Sequence, residues 1–217
     1  MLRIRRLVTD RFDENCYVIE HDGSPDVLVV DPGARAAAAV GALNKSIGAV
    51  LLTHGHPDHI WDAAEVSEMG GGAPVFLPSA DRVWLEDPAG MLGFGDFGKW
   101  RRPVVLDAPL DTWQVLPGIF LRMVPAPGHS AGSAVFLLGG QTNMGAQTAL
   151  VGDVIFKGSI GRTDLIGGDE AVMNETLRTL AVSLDPNTVL LPGHGERTIW
   201  SVELSDNPYV KEAIESR

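Results

Sequence analysis

Five of the six histidines in this chain fall in three short stretches: Thr53-His54-Gly55-His56-Pro57-Asp58-His59, Pro127-Gly128-His129-Ser130 and Pro192-Gly193-His194-Gly195. Gly152-Asp153 lies between the last two. Neutral imidazole and carboxylate are ligands of borderline divalent cations, so a fold that uses these groups has to bring four distant segments to one point. The candidates are His54, His56, Asp58, His59, His129, Asp153 and His194. A structural zinc closes with four ligands, whereas two ions about 3.5–4 Å apart, sharing a carboxylate and a water, can use all of these side chains. The count favours a binuclear catalytic centre. Any one histidine alone is equally well read as a satisfied core or turn residue; five in this pattern are not. His21 sits in the polar stretch Glu20-His21-Asp22-Gly23-Ser24-Pro25, a solvated turn, and receives no role.

The apolar periodicity places these motifs at strand ends. Residues 3–8 and 16–20 read as strands, and Val27-Leu28-Val29-Val30 as a buried strand stopped by Asp31-Pro32-Gly33. An Ala-rich helix follows over 34–43, then a buried strand over 49–52 that delivers Thr53. In extended chain, residues two apart point the same way, so His54 and His56 can reach one ion together. Pro57 suits the first turn of a helix expected to run on to Met69, which sets Asp58 and His59 near its start, facing a second ion; Gly70-Gly71-Gly72 ends it. Short strands are expected around 75–77, 119–124, 134–138 and 149–151, a helix over 170–182 and a strand over 188–191 before the last histidine. Two groups of strands, each followed by a helix, fit an α/β architecture of two packed sheets covered by helices.

The series HxHxDH, later His, later Asp, last His resembles the metallo-β-lactamase superfamily over nearly the whole chain. Gly152-Asp153-Val154-Ile155-Phe156 and Gly158-Ser159-Ile160-Gly161-Arg162-Thr163-Asp164 resemble its glyoxalase II-like (hydroxyacylglutathione hydrolase-like) branch, whose members hydrolyse thioesters of small thiols. The resemblance implies a four-layer αββα sandwich, a single domain over residues 1–217. It implies His54, His56 and His129 on one ion, Asp58, His59 and His194 on the other, and Asp153 bridging both. Zinc is expected, with iron or manganese as alternatives. The nucleophile would be a metal-bridging hydroxide, since such ions lower the pKa of water from about 15.7 toward about 7. Asp153 and Asp58 are the expected catalytic carboxylates, Asp58 mainly as a ligand that can also orient the hydroxide or carry its proton. A thioester suits this equipment because a thiol of pKa about 8.5 leaves with little help from an acid. Cys16 lies far upstream of the ligand cysteine of many true β-lactamases, a place that Asp153 fits. The stretch after His194 is too short for the helical domain that helps glyoxalase II bind glutathione. The rival reading is a persulfide dioxygenase with one iron on His54, His129 and Asp153.

Composition narrows the substrate. With 17 basic against 28 acidic residues the net charge is −11, and clustered Lys and Arg for a phosphate backbone are missing, so a small molecule is expected rather than nucleic acid. No apolar run reaches the roughly 18 residues of a membrane span. Asp10, Arg11, Asp13 and Glu14 break what would be a signal sequence, and a cytoplasmic location is expected; oligomeric state is not legible. The lone cysteine, Cys16, reads as a strand core residue. Ser130 and Ser133 lack a nucleophile elbow and read as turn residues. Asp31 reads either as a turn residue or as a group orienting a ligand from behind, and Arg162 either as an anchor for a substrate carboxylate or as one half of a loop-pinning ion pair. The Gly-rich segment 88–102, with Phe94, Phe97 and Trp100, reads as a candidate lid.

Overall fold

The structure, a computed structural model, describes residues 1–9, 12–93 and 98–216. The first sheet has six strands in sequence order: β1 (Leu2–Val8), β2 (Asn15–His21), β3 (Asp26–Val30), β4 (Ser46–Leu51), β5 (Val75–Leu77) and β6 (Val105–Asp107). Pairing is antiparallel from β1 to β3 and parallel from β3 to β6. The second sheet is built from β7 (Trp113–Leu116), β8 (Ile119–Pro125), β9 (Ala134–Gly139), β10 (Thr148–Gly152), β13 (Val189–Pro192) and β14 (Thr198–Ile199), in the order β14-β13-β10-β9-β8-β7. Between β10 and β13 the chain makes a small hairpin, β11 (Ile155–Phe156) with β12 (Ser159–Ile160).

A period of two decides which side chains meet. Tyr17, Ile19, Leu28, Val30, Ala49 and Leu51 face the second sheet and pack on Ile119, Leu121, Phe136, Leu138, Leu150 and Leu191. Their neighbours Cys16, Val18, Val27, Val29, Val50 and Leu52 face the other way, and a sheet apolar on both faces needs a second cover. Helices α1 (Ala36–Gly41) and α3 (Ala63–Met69) supply it through Ala36, Ala37, Val40, Ala63 and Val66. On the outer face of the second sheet lie α5 (Glu170–Ser183), α6 (Trp200–Asp206) and α7 (Pro208–Glu215), which bury Met173, Leu177, Leu180, Trp200, Val210 and Ala213. The architecture is the expected αββα sandwich. Among the described residues no helix is long and apolar enough to cross a membrane.

Local structure corrects several expectations. The helix expected over 57–69 is two: α2 (Pro57–Ile60) stops, and α3 begins after Asp62. The Asp62 amide donates to Pro32 O at 2.9 Å and its carboxylate accepts from Ala37 N at 3.0 Å, so the break ties this corner to the start of α1. Helix α1 is shorter than expected because Arg35 takes a left-handed φ of 72° and helical geometry starts only after it. Within the Gly-rich segment 88–102 the chain forms α4 (Pro88–Leu92), and a 3-10 helix over Ser79–Leu85, for which the sequence offered no reading, precedes it. Helices α6 and α7 had not been expected either, although Asn207-Pro208 is a cap-and-proline start signal, with Asn207 Oδ1 accepting from Tyr209 N at 3.1 Å.

Phe136 is fully buried between the sheets, with Trp113 edge-on at a centroid distance of 6.2 Å. Phe136→Ala should therefore cost about 3–5 kcal/mol by leaving a cavity. Urea unfolding should show a lower midpoint with the slope retained; an unchanged midpoint would contradict this packing.

Candidate metal centre

Five strand ends converge on one rim of the sandwich. β3 ends at Asp31, β4 runs into Thr53–His59, the β8–β9 connection carries His129, β10 ends at Gly152-Asp153 and β13 at Gly193-His194. The two sheets are laced together here. Asn15 N donates to Gly193 O at 2.7 Å, Asn15 Nδ2 donates to both Pro192 O and Gly195 O at 2.9 Å, and Tyr17 Oη donates to Pro192 O at 2.7 Å. Space is tight enough to demand glycine: a Cβ on Gly161 would collide with the Asp153 carbonyl oxygen, and one on Gly33 with that of Asp58.

All seven candidate side chains meet at this rim. Possible ligand atoms of His54, His56 and His129 lie within 4.8 Å of one another, as do those of Asp58, His59 and His194, and a further set joins His54, His59 and Asp153. Asp153 stands between the first two groups: Oδ1 is 3.3 Å from His59 Nε2, and Oδ2 is 3.6 Å from His129 Nε2 and 3.5 Å from His194 Nε2. His194 Nε2 is 3.3 Å from Asp58 Oδ2. His21 is elsewhere, its ring against Gly118 in the β7–β8 turn.

The partners of the imidazoles settle their tautomers. His59 Nδ1 donates to Asp31 Oδ2 at 3.1 Å, His129 Nδ1 to Arg162 O at 2.7 Å and His194 Nδ1 to Phe12 O at 2.9 Å. His54 Nδ1 donates to Thr53 Oγ1 at 3.1 Å, whose own proton goes to Asp31 Oδ2 at 2.7 Å. In the neutral rings this leaves four Nε2 lone pairs bare, the form in which imidazole binds metal. His56 turns Nδ1 inward, 2.7 Å from His129 Nε2 and 3.1 Å from His54 Nε2. Three buried ring nitrogens share at most the one proton of His56, and bare lone pairs in such contact repel unless a cation stands among them. Buried His59 Nε2 and Asp153 Oδ1 also lack a hydrogen-bond partner. The donor set fits divalent metal.

Protonation follows burial and charge. Burial holds His54 well below the usual histidine range, helped by His59 and His56, and burial with His129 pushes His56 down to about 3. For His59 burial works downward but is outweighed by Asp153 and Asp58, so its pKa rises well above the usual value. Burial would raise Asp153, yet His59, His194 and His129 hold it well below the carboxylate range. This is a charge-rich pocket in which a proton stands on His59 when nothing else balances the two aspartates.

Two aspartates fix the ligand loops from behind. Asp31, itself at a left-handed φ of 49°, accepts from Thr53 N, Thr53 Oγ1 and His59 Nδ1. Asp81, fully buried, accepts from Gly55 N at 2.8 Å, Ser130 Oγ at 2.6 Å and Gly132 N at 2.6 Å, so one carboxylate joins the His54–His56 turn to the His129 loop. Nothing local in the sequence marks Asp81. Ser130 and Ser133 are buried and bonded to each other at 2.7 Å, which fits the turn reading. Glu14, also unmarked in the sequence, is fully buried; its backbone bridges to His194, and neither carboxylate oxygen has a partner.

A cavity of about 450 Å³ opens over the cluster, walled by Phe12, Phe156, Ile160, Leu165 and Arg162 with His56, Asp58, His129, Asp153 and His194 at its base. Arg162 faces it while paired bidentately with Asp164, at 2.6 and 2.7 Å. No described residue of 88–102 lines the cavity. Trp100 packs on Trp61 at 5.2 Å and donates Nε1 to Leu85 O, a core role; Phe94 and Phe97 lie outside the described residues. The walls that the sequence did not reveal come from Phe12 and the β11–β12 hairpin.

The family model described as the metallo-beta-lactamase superfamily matches residues 9–194, the span that holds every one of these side chains. The chain belongs to that superfamily. It is 38% identical over 91% of its length to an uncharacterized protein of Mycobacterium tuberculosis, covering 92% of that protein. It is 31% identical to the probable metallo-hydrolase YqgX of Bacillus subtilis and 28% identical to the hydroxyacylglutathione hydrolase GloC of Haemophilus influenzae, in each case over 96% of this chain and 98% of the relative. Among solved structures it is similar to the BLEG-1 B3 metallo-beta-lactamase, with a TM-score of 0.80, 28% identity and coverage of 95% and 99%. It is also similar to TTHA1623 in a di-iron-bound form, with a TM-score of 0.76, 29% identity and coverage of 94% and 99%. Membership of this superfamily, the probable metallo-hydrolase among its relatives and the cluster of histidines and aspartates at the rim together support a metal-dependent hydrolase.

Because Asp31 orients His59 and, through Thr53, His54, Asp31→Ala should weaken metal binding by about 10- to 100-fold while the fold persists. Competition against a graded series of chelators measures this. Unchanged affinity would mean that Asp31 serves only the turn.

Proposed function

We propose that these seven side chains hold two divalent ions, zinc with iron or manganese as alternatives, and that the chain hydrolyses acyl thioesters of small thiols. The observation that carries this reading is the completeness of the second group: Asp58, His59 and His194 stand together beside the first, with Asp153 between them. When bound, such ions supply hydroxide at neutral pH and polarise the scissile carbonyl. Asp153 holds the two groups in one unit, and its low pKa keeps it anionic for that task. Asp58, at the base of the cavity, is likewise held below its ordinary value, burial being outweighed by His59 and by His194, so it stands there as an anionic carboxylate available as a ligand. Phe12, Phe156, Ile160 and Leu165 give the acyl or thiol part an apolar lining, and a volume of about 450 Å³ suits a small molecule.

The leaving group selects among hydrolases. A thiol of pKa about 8.5 departs as thiolate, so the chain need place no strong acid beside it, whereas an amine must be protonated. The name of the GloC relative, hydroxyacylglutathione hydrolase, supports the thioester reading, and the di-iron form of TTHA1623 supports a pair of ions. Purified metal-loaded protein should release thiol from acyl thioesters and take up no oxygen when given a thiol persulfide. The opposite pair of results would move the chain to the persulfide dioxygenase reading, with one iron on His54, His129 and Asp153.

A further inference from the structure

A second cavity, about 440 Å³ and so matched in size to the one over the metal centre, is lined by Ile4, Arg6, Tyr17, Met144, Leu191 and Arg197, with Glu196 beside them. The two cavities share no lining residue. Ile4 and Leu191 are buried and make an apolar floor. The arginines set this cavity apart. In a chain of 28 acidic and 17 basic residues, Arg3, Arg5, Arg82, Arg101, Arg102 and Arg162 each sit on a carboxylate. Among the described residues, no carboxylate lies within ion-pair distance of Arg6 or Arg197, although the charge of Arg6 is felt by Glu196; Arg178 is likewise held by backbone carbonyls alone, and what distinguishes Arg6 and Arg197 is that the two share one cavity. Arg6 gives Nη1 to Gly195 O at 2.7 Å, and Arg197 places Nη1 2.8 Å from Met144 Sδ, a weak acceptor. Glu196 is engaged by Lys157 at 2.6 Å. A guanidinium has five donors, so most of those on both arginines remain free. At a net charge of −11 the chain needs no bare arginine for solubility.

We infer that this cavity binds a small organic anion, an oxyanion head of carboxylate or phosphate type on an apolar body. Each guanidinium can meet such a head with paired charge-assisted bonds, and the body lies against Ile4, Leu191 and Met144. Tyr17 Oη already donates to Pro192 O, which leaves recognition of the head to the arginines. Arg6 also holds Gly195, next to His194, so an anion here acts on the loop that carries a proposed metal ligand.

Calorimetric titration of the metal-loaded protein tests this, with hexanoate and hexyl phosphate as probes and hexan-1-ol and inorganic phosphate as controls for tail and charge alone. At least one organic anion should bind saturably and more tightly than either control, and the tighter of the two identifies the head. Arg197→Gln, which removes only a contact to Met144 sulfur, should weaken binding about tenfold or more with metal content unchanged, and Arg197→Lys should restore part of it. Arg6→Gln should weaken binding in the same way. Absence of saturable binding, equal binding of hexan-1-ol, or an affinity indifferent to the double Arg6→Gln, Arg197→Gln change would overturn the inference; the last result would assign the anion to the metal centre instead.

Discussion

The contact between His56 Nδ1 and His129 Nε2, 2.7 Å apart in a buried pocket, is the constraint on which the rest of this site depends. With Nδ1 of His129 committed to Arg162 O and Nδ1 of His54 to Thr53, the inward nitrogens have almost no proton to share. Such a cluster is unfavourable by itself. It persists because the surrounding fold over-determines it: Asp81 clamps two of the loops, Asp31 orients two of the rings, and the paired sheets fix where the strand ends stop. Positive charge supplied by a bound metal would offset this repulsion, so that a rigid apolar sandwich could carry a site of high charge density.

The division of labour between core and rim follows from this. Three apolar layers, one between the sheets and one under each set of helices, make the scaffold without any ligand residue. The candidate ligands stand on turns just beyond strand ends, where side chains are free of the ladder but their backbones are not. Gly33 and Gly161 allow the turns to approach one another more closely than any side chain would permit. Loop residues on a rigid frame are where functional groups are best placed, since the frame sets position and the loop sets identity.

The clustering of the candidate ligands was legible in the sequence because metal chemistry restricts residue type and the spacing of His54, His56, Asp58 and His59 is local. The αββα layering was legible because strands such as Val27–Val30 are apolar on both faces. What escaped depends on partners distant in the chain. Asp81 belongs to the site only through Gly55 and Gly132, separated from it by 26 and 51 residues. The break after α2 depends on Pro32 and Ala37, and no periodicity over 57–69 announces it. Residues 88–102 read as a lid from their aromatic content; Trp100 packs with Trp61 instead, Phe94 and Phe97 lie outside the described residues, and Phe12 and Phe156 line the cavity.

The central claim is that the two groups of ligands act as one binuclear unit through Asp153. Elemental analysis of metal-reconstituted protein tests it most directly. The account predicts two ions per chain in the native sequence, falling toward one when His59 or His194 is replaced by alanine. Saturation at a single ion, unaltered by either replacement, would contradict it.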